Sequence, residues 1–472
     1  MINCILRGHD FVNEVQVTAQ LFFAGEKFAF VDDVAKTGYT VKSEMIGDFV
    51  HAFVLKDCVE LAHYCVQIDH SREYLNPRRY VMLAVYHALQ KAVGAYTPWG
   101  TLTGIRPSKL VREWLDGGFD NDKVISILMN PFCCSEEKAR LALTVAHAEK
   151  RVERRINNTI GLYVSVPFCP SRCVYCSFNT SFKFADETFL ERYIAALIGE
   201  CHEKAVQVRD MGATISSIYV GGGTPTFLPE NLLERLLGEI CEAFSGTSPL
   251  EFTVEAGRPD TLTAAKLKLL RKHSVNRIAV NPQTLNDQTL TTIGRNHTAD
   301  DFFKAFCIAR EVGFDCINTD IIAGLPNETP NDMRRNMEAL AKLSPENITI
   351  HTLAVKRASR LNEQRASSTH TDSAPDPRIV ESMLSIAAEY TAKMGHSPYY
   401  LYRQKNMVGL FENIGYSLPN HECLYNVGMM AEVQTILGIG AGAVSKFVEG
   451  TKITREFNAK NPEIYIERRD AK

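Results

Sequence analysis

Between Gly161 and Leu353 the chain switches six times between short β-rich runs and longer helical patterns, and no other feature restricts the fold so strongly. The strand candidates are Leu162–Val166, Ile215–Val220, Glu251–Glu255, Arg277–Val280, Cys316–Ile322 and Ile348–Leu353. Helical patterns fill the gaps at Phe189–Lys204, Leu232–Phe244, Ala264–Arg271, Phe302–Val312 and Asn331–Leu343. Parallel strands need long crossovers, and helices between strands supply them. Six such units predict an α/β fold, a partial (β/α)6 barrel over 156–360 with chemistry at the carboxyl ends of its strands. A chain of 472 residues is too long for that core alone. The expected flanks are a small α+β domain at 1–155, without an assigned role, and a mostly helical domain at 361–472.

In the first flank, alternation at Val15–Phe23 and Lys27–Val31 predicts a small antiparallel sheet. Helices are expected at Arg79–Val93, from Pro107-Ser108, and at Ser135–Arg155, whose basic end reads as a solvated linker. Past the sixth strand, the polar stretch Asn362–Pro377 reads as a loop or lid. A helix near Arg378–Met394, the aromatic run Tyr399–Tyr402 and the glycine-rich Gly438–Ala443 follow.

Composition narrows the function classes. The net charge of −3 gives no electrostatic footprint for nucleic acid. No apolar stretch approaches the roughly 18–20 residues a membrane span needs. The first ten residues break polar too early for a signal peptide, so the expected compartment is the cytoplasm. Thirteen cysteines, an odd number in a long chain, do not describe a secreted disulfide scaffold. Most stand singly, and the adjacent Cys133-Cys134 carries no assignable role.

Three cysteines do not stand singly. Cys169, Cys173 and Cys176 form C-x₃-C-x₂-C immediately after the first barrel strand. Iron–sulfur cubanes usually take four cysteine ligands, so three thiols leave one iron able to bind something else. A structural zinc ion wants four ligands in C-x₂₋₄-C modules, and no matching His or Cys partner lies nearby in sequence.

From Ile160 to about Gly450 the chain resembles the radical S-adenosylmethionine (SAM) oxygen-independent coproporphyrinogen III oxidases, also called coproporphyrinogen dehydrogenases. The motifs, in order, are Tyr163–Cys176, Gly221-Gly222-Gly223-Thr224-Pro225, Val254-Glu255, Asn281-Pro282-Gln283-Thr284, Gly294-Arg295-Asn296-His297-Thr298 and Asp320–Pro326. Leu102–Leu110, Glu255–Asp260 and Lys356–Leu361 resemble the longer, auxiliary branch with its extra N-terminal domain.

The resemblance implies a [4Fe–4S] cluster on Cys169, Cys173 and Cys176, with SAM on the open iron and Tyr163 beside it in the catalytic set. It implies that Gly222 and its glycine neighbours let the backbone approach the SAM methionine, that Val444 gives a backbone contact, and that Glu255 accepts from the ribose; the bland alternative for Glu255 is a surface glutamate. The family fold accommodates a second SAM, whose matching contacts here are Tyr175, Gly223, Thr224, Gln283, Arg295, Asp320 and Ala354. Arg295 suits a carboxylate and Asp320 an ammonium group; the alternative for each is a structural ion pair. Two departures stand out. Ser165 replaces a histidine of well-known members, and Ala256-Gly257-Arg258 replaces their usual continuation after the glutamate.

The implied reaction is oxidative decarboxylation of two propionates of coproporphyrinogen III to vinyl groups, giving protoporphyrinogen IX, with an electron donor and an electron acceptor as partners. Lys356, Arg357, Arg360 and Arg403 are either propionate clamps or ordinary surface charge. Tyr399–Tyr402 walls a macrocycle or packs a core. Two other functions share this architecture: haem-binding chaperones, and SAM-dependent methyltransferases that open the haem ring.

Overall fold

The computed structural model describes all residues except 95–96, 105, 177–185, 356–374, 405–406, 451 and 472. The chain forms two compact units, Met1–Leu143 with Arg403–Asn406, and Thr144–Tyr402 with Met407–Lys472. No helix among the described residues is long and apolar enough to cross a membrane.

The first unit holds a five-stranded sheet of order β2-β1-β3-β4-β5, made of β1 (Ile2–Arg7), β2 (Phe28–Phe30), β3 (Tyr39–Ile46), β4 (Phe49–Lys56) and β5 (Val59–Gln67). The sheet is mixed where an antiparallel one was expected: β1 runs parallel to both β2 and β3, and only β3–β5 are antiparallel. The alternation at Val15–Phe23 is not a strand. Val12–Ala19 is a helix, because Val15, Thr18 and Ala19 share the spacing that buries one helical face. The expected central helix spans Pro77–Val93, with the Asn76 side chain capping the Arg79 amide and Gly94 ending it at φ 72°. Arg403 belongs to this unit. It is buried, its guanidinium donates to the Leu102 carbonyl, and it lies 5.7 Å over the Trp99 ring.

In the second unit the six alternating runs become six consecutive parallel strands: β6 (Thr159–Val166), β7 (Thr214–Gly222), β8 (Glu251–Val254), β9 (Arg277–Ala279), β10 (Ile317–Ala323) and β11 (Asn347–Thr352). The intervening helices are Glu187–Asp210, Glu230–Ala243, Ala264–Lys272, Ala299–Glu311 and Pro330–Leu343. The barrel is partial because other strands occupy both edges. Beside β11 lie β12 (Ser397–Tyr402) and β13 (Asn413–Ser417); beside β6 lie β14 (Thr435–Ile439), β15 (Val444–Glu449) and β16 (Lys452–Phe457). The C-terminal segment thus carries five strands besides the helices Pro377–Lys393, Leu424–Met430 and Pro462–Asp470. Its strands cover edges that an open parallel sheet would leave unpaired.

The aromatic run on β12 is core. Tyr399 is 1% exposed and packs with Tyr400, Tyr425, Val427 and Ile436. Arg151 and Arg155, at the basic end of the helix Glu136–Ile156, meet the nearly buried Glu422 at 3.9 and 3.3 Å.

Candidate active site

β6 delivers the chain into the three-cysteine loop, and backbone bonds fix that loop on two sides. Gly223 N donates to Val166 O (2.9 Å) and Thr224 N to Phe168 O (2.7 Å), tying it to the end of β7. Val174 N donates to Ile293 O (3.0 Å), and Ser171 Oγ to Gly294 O (2.9 Å), tying it to the segment before Arg295. Phe168 is fully buried edge-on to Tyr193, with ring centroids 5.0 Å apart. Cys173 is buried, while Cys169 and Cys176 are partly exposed. Burial pushes the Cys169 thiol up to about 11; a hydrogen bond with Thr224 Oγ1 (3.5 Å) pulls it back, and the neighbouring Cys176 and Cys173 push it further. Crowded thiols of this kind become thiolates when cationic iron compensates them. Among the described residues no three His, Cys, Asp or Glu groups converge on a single metal-ion position. Cysteine thiols are the donor type that iron–sulfur cubanes take.

The glycine turn after β7 is demanded by this seat. A Cβ on Gly223 would lie 2.5 Å from Phe168 O and 2.7 Å from Phe168 N, inside the cysteine loop's own backbone. Gly222 has φ 101°, and a Cβ there would lie 2.9 Å from Ser165 Oγ and 3.1 Å from the Tyr163 hydroxyl.

Strand register gathers the polar residues. Tyr163 on β6 pairs with Tyr219 on β7, and the rings of both stack on Tyr425, at 5.8 and 4.4 Å. Glu255 follows β8; its carboxylate accepts from the Tyr219 hydroxyl (2.6 Å) and from Gly222 N (3.2 Å). Burial pushes its pKa up to about 7, against the Tyr219 bond, with the Asp320 charge adding to the rise. Asp320 on β10 is also buried, which raises its pKa, but bonds from His351, Asn318 and Thr349 outweigh burial and hold the carboxylate below its usual range. Gln283, after β9, is buried at φ 68° and bridges to Ile321, with its N donating to Asp320 O (2.9 Å). Arg295 is buried; Nη1 donates to Gly257 O (3.0 Å) and Asn281 O (3.3 Å), and Nη2 to the Tyr175 hydroxyl (3.3 Å). Its Nε has no hydrogen-bond partner among the described residues.

Two expected contacts come from strand edges. Ala354, just past β11, bridges to Met407. Val444 opens β15, its backbone against Gly438 of β14, and Gly438 pairs with Tyr163. Lys356, Arg357 and Arg360 lie outside the described residues.

Besides Tyr425, the sequence reading passed over four residues here. Tyr219 was legible as the register partner of Tyr163, two residues before the glycine turn. Arg258 and Asp260 form a pair (3.0 Å) beside the cysteine loop, in a segment noted for its likeness to the auxiliary branch and its departure from other members, with no role given to either side chain. His297 is buried, and desolvation with the Arg295 and Arg258 charges pushes its pKa down to about 4, so the imidazole is neutral. It stood in a quoted motif from which only the arginine was taken.

Residues 163–340 match the radical SAM superfamily. The chain is 36% identical over 403 residues to the oxygen-independent coproporphyrinogen-III oxidase-like protein HemZ of Bacillus subtilis, covering 84% of this chain and 79% of that protein. It is 36% identical over 195 residues to the heme chaperone HemW of Bacillus subtilis, covering 41% of this chain and 50% of that one. The coproporphyrinogen III oxidase HemN of Escherichia coli, a radical SAM enzyme, shares the fold with a TM-score of 0.54 and 23% identity over 69% of this chain and 72% of its own. An open six-stranded parallel barrel, a three-cysteine loop after its first strand and this relationship along most of the sequence agree: the chain belongs to the radical SAM superfamily, in the family of oxygen-independent coproporphyrinogen-III oxidase-like proteins.

Proposed function

We propose that the protein is a radical SAM oxidoreductase that converts two propionates of coproporphyrinogen III to vinyl groups, giving protoporphyrinogen IX. Membership of the superfamily implies a [4Fe–4S] cluster and SAM; the proposed ligands are Cys169, Cys173 and Cys176. When bound, the cluster and SAM supply one-electron cleavage of the sulfonium to a 5′-deoxyadenosyl radical. With that chemistry supplied, each propionate would give up one β-hydrogen atom to form 5′-deoxyadenosine, lose its carboxylate as CO₂ and pass one electron to an external acceptor.

The chain's own groups bind and orient. Glu255, braced by Tyr219, accepts from a ribose diol. The Gly222–Gly223 turn, free of side chains and beside Tyr163, would face the methionine end, with the Tyr163 ring stacked on Tyr425. For a second SAM, the buried Arg295 offers its unpaired Nε–H to a carboxylate, and Asp320 offers an ionised carboxylate to an ammonium group. The observation that carries the reading is the seating of the cysteine loop on Gly223-Thr224 beside Glu255, at the carboxyl ends of adjacent parallel strands.

The test is anaerobic reconstitution with iron and sulfide, then SAM, a strong reductant, an electron acceptor and coproporphyrinogen III, followed by mass spectrometry. The expected products are 5′-deoxyadenosine and stepwise loss of two CO₂, both absent in Cys173→Ala. Deoxyadenosine without decarboxylation would retain the radical chemistry and overturn the substrate. Stoichiometric haem binding with no SAM cleavage would replace the proposal with the chaperone function named for HemW.

A further inference from the structure

Arg258 is the strongest group beside the cysteine loop to which the proposed chemistry gives no task. It is a cation only 3% exposed, on the loop after β8. Burying a charge is costly unless it is paired and hydrogen-bonded, and Arg258 is both. Nε lies 3.0 Å from Asp260 Oδ1 and Nη2 3.1 Å from Asp260 Oδ2, a bidentate fork that fixes the plane of the guanidinium. That plane presents its far edge to the cysteine loop. Nη1 and Nη2 each lie 3.1 Å from Ser171 Oγ, and Nη1 lies 3.8 Å from Cys173 Sγ, within reach of an N–H···S hydrogen bond.

A need only to anchor the loop would be met by Ser171, which already donates to Gly294 O. What the guanidinium adds is a positive charge and a donor aimed at a sulfur. Hydrogen bonds to cluster sulfurs, net charge and burial set an iron–sulfur potential. A cation held there stabilises the reduced state, which carries one more negative charge than the oxidised state. Asp260 opposes that field while orienting its source.

We propose that Arg258 is a tuning residue of the cluster: a charged N–H donor to the Cys173 sulfur that raises the cluster's reduction potential, held in that pose by Asp260. The inference rests on the cluster reading above, and it concerns the ease of reduction, not the identity of the tetrapyrrole.

The experiment is a dye-mediated redox titration followed by EPR, on the reconstituted full chain, with iron and sulfide content checked for every variant. In Arg258→Met the reduced-to-oxidised ratio at a fixed ambient potential is expected to fall about tenfold, ~59 mV for one electron. Arg258→Lys, which keeps the charge and loses the fork, falls between parent and Met. Ser171→Ala, which removes the loop tie and keeps the cation, stays within about twofold of the parent. An unchanged potential in Arg258→Met, or an equal fall in Ser171→Ala, overturns the inference. Should Arg258→Met take up no cluster, Arg258→Lys decides: a lowered potential supports the inference, and an unchanged or raised one overturns it. A parent protein that takes up no cluster contradicts the proposed function itself, a failure distinct from these.

Discussion

Both ends of the β6–β11 sheet carry buried polar groups, but they are put to different uses. At the amino end, Glu251 on β8 accepts from Leu424 N (2.8 Å), Tyr425 N (3.2 Å) and Cys423 Sγ (3.3 Å). Arg277 on β9 donates to His421 O (2.8 Å), to Cys316 Sγ (3.0 Å) and to the Asn347 side chain, which itself donates to His421 O (2.6 Å). Its charges are consumed in docking the chain around Leu424 beneath the barrel. At the carboxyl end, Glu255 is pushed up to about 7, His297 down to about 4, and the Arg295 Nε is left unpaired. Buried groups that satisfy one another are structural. Buried nitrogens left unpaired among the described residues, as on Arg295 and His297, are open to a ligand.

The comparison predicts separable losses. Cys173→Ala should abolish iron uptake and SAM cleavage while costing about 1 kcal/mol of stability or less, because it leaves no charge stranded; iron analysis and denaturant titration measure both. Arg277→Met should do the reverse. It takes away the cation facing the buried Glu251 charge and the donor to Asn347, and should cost about 3–5 kcal/mol, with cluster content per folded molecule unchanged. A loss of cluster at constant stability in this variant would break the comparison.

Gly223→Ala sits between the two. Its Cβ must displace the Phe168 backbone, now 2.5 Å away, so a cost of about 1–3 kcal/mol should come with a several-fold loss of iron occupancy.

The smallest expected effect is the most diagnostic. In the ligand-free protein the Glu255 pKa rises from 4.5 to about 7. The folded form therefore holds a proton more firmly than the unfolded chain, and Glu255 favours folding fully below the unfolded pKa. That contribution is lost as pH rises through 7. Glu255→Gln should melt above the parent at pH 8, by about 1–2 kcal/mol, with the gap closing towards pH 5. Its SAM affinity should nonetheless be the poorer one.

Much of this was legible in sequence because the barrel rests on local patterns. The largely apolar run on Thr159–Val166, mostly buried on both faces, and the helices between strands announce themselves within a few residues. The cysteine spacing is equally local. Val15–Phe23 was misread because one short segment fits both periods; its first half lies in the helix Val12–Ala19, whose buried face decided the matter. The strands β12–β16 were not anticipated, since edge pairing is set by partners far along the chain. Tyr425 and Arg258 were missed for the same reason. One reaches Tyr219 and Tyr163 from a distant helix, and the other reaches Cys173 across 85 residues.

The central claim is that the carboxyl end of β6–β11 is built for a three-cysteine cluster whose open iron receives SAM. The most direct measurement is the EPR spectrum of the reconstituted, reduced protein before and after SAM is added. The account predicts a [4Fe–4S]⁺ signal whose g values move on adding SAM, and no such signal from Cys173→Ala. A signal that ignores SAM, or one that survives the loss of Cys173, would contradict it.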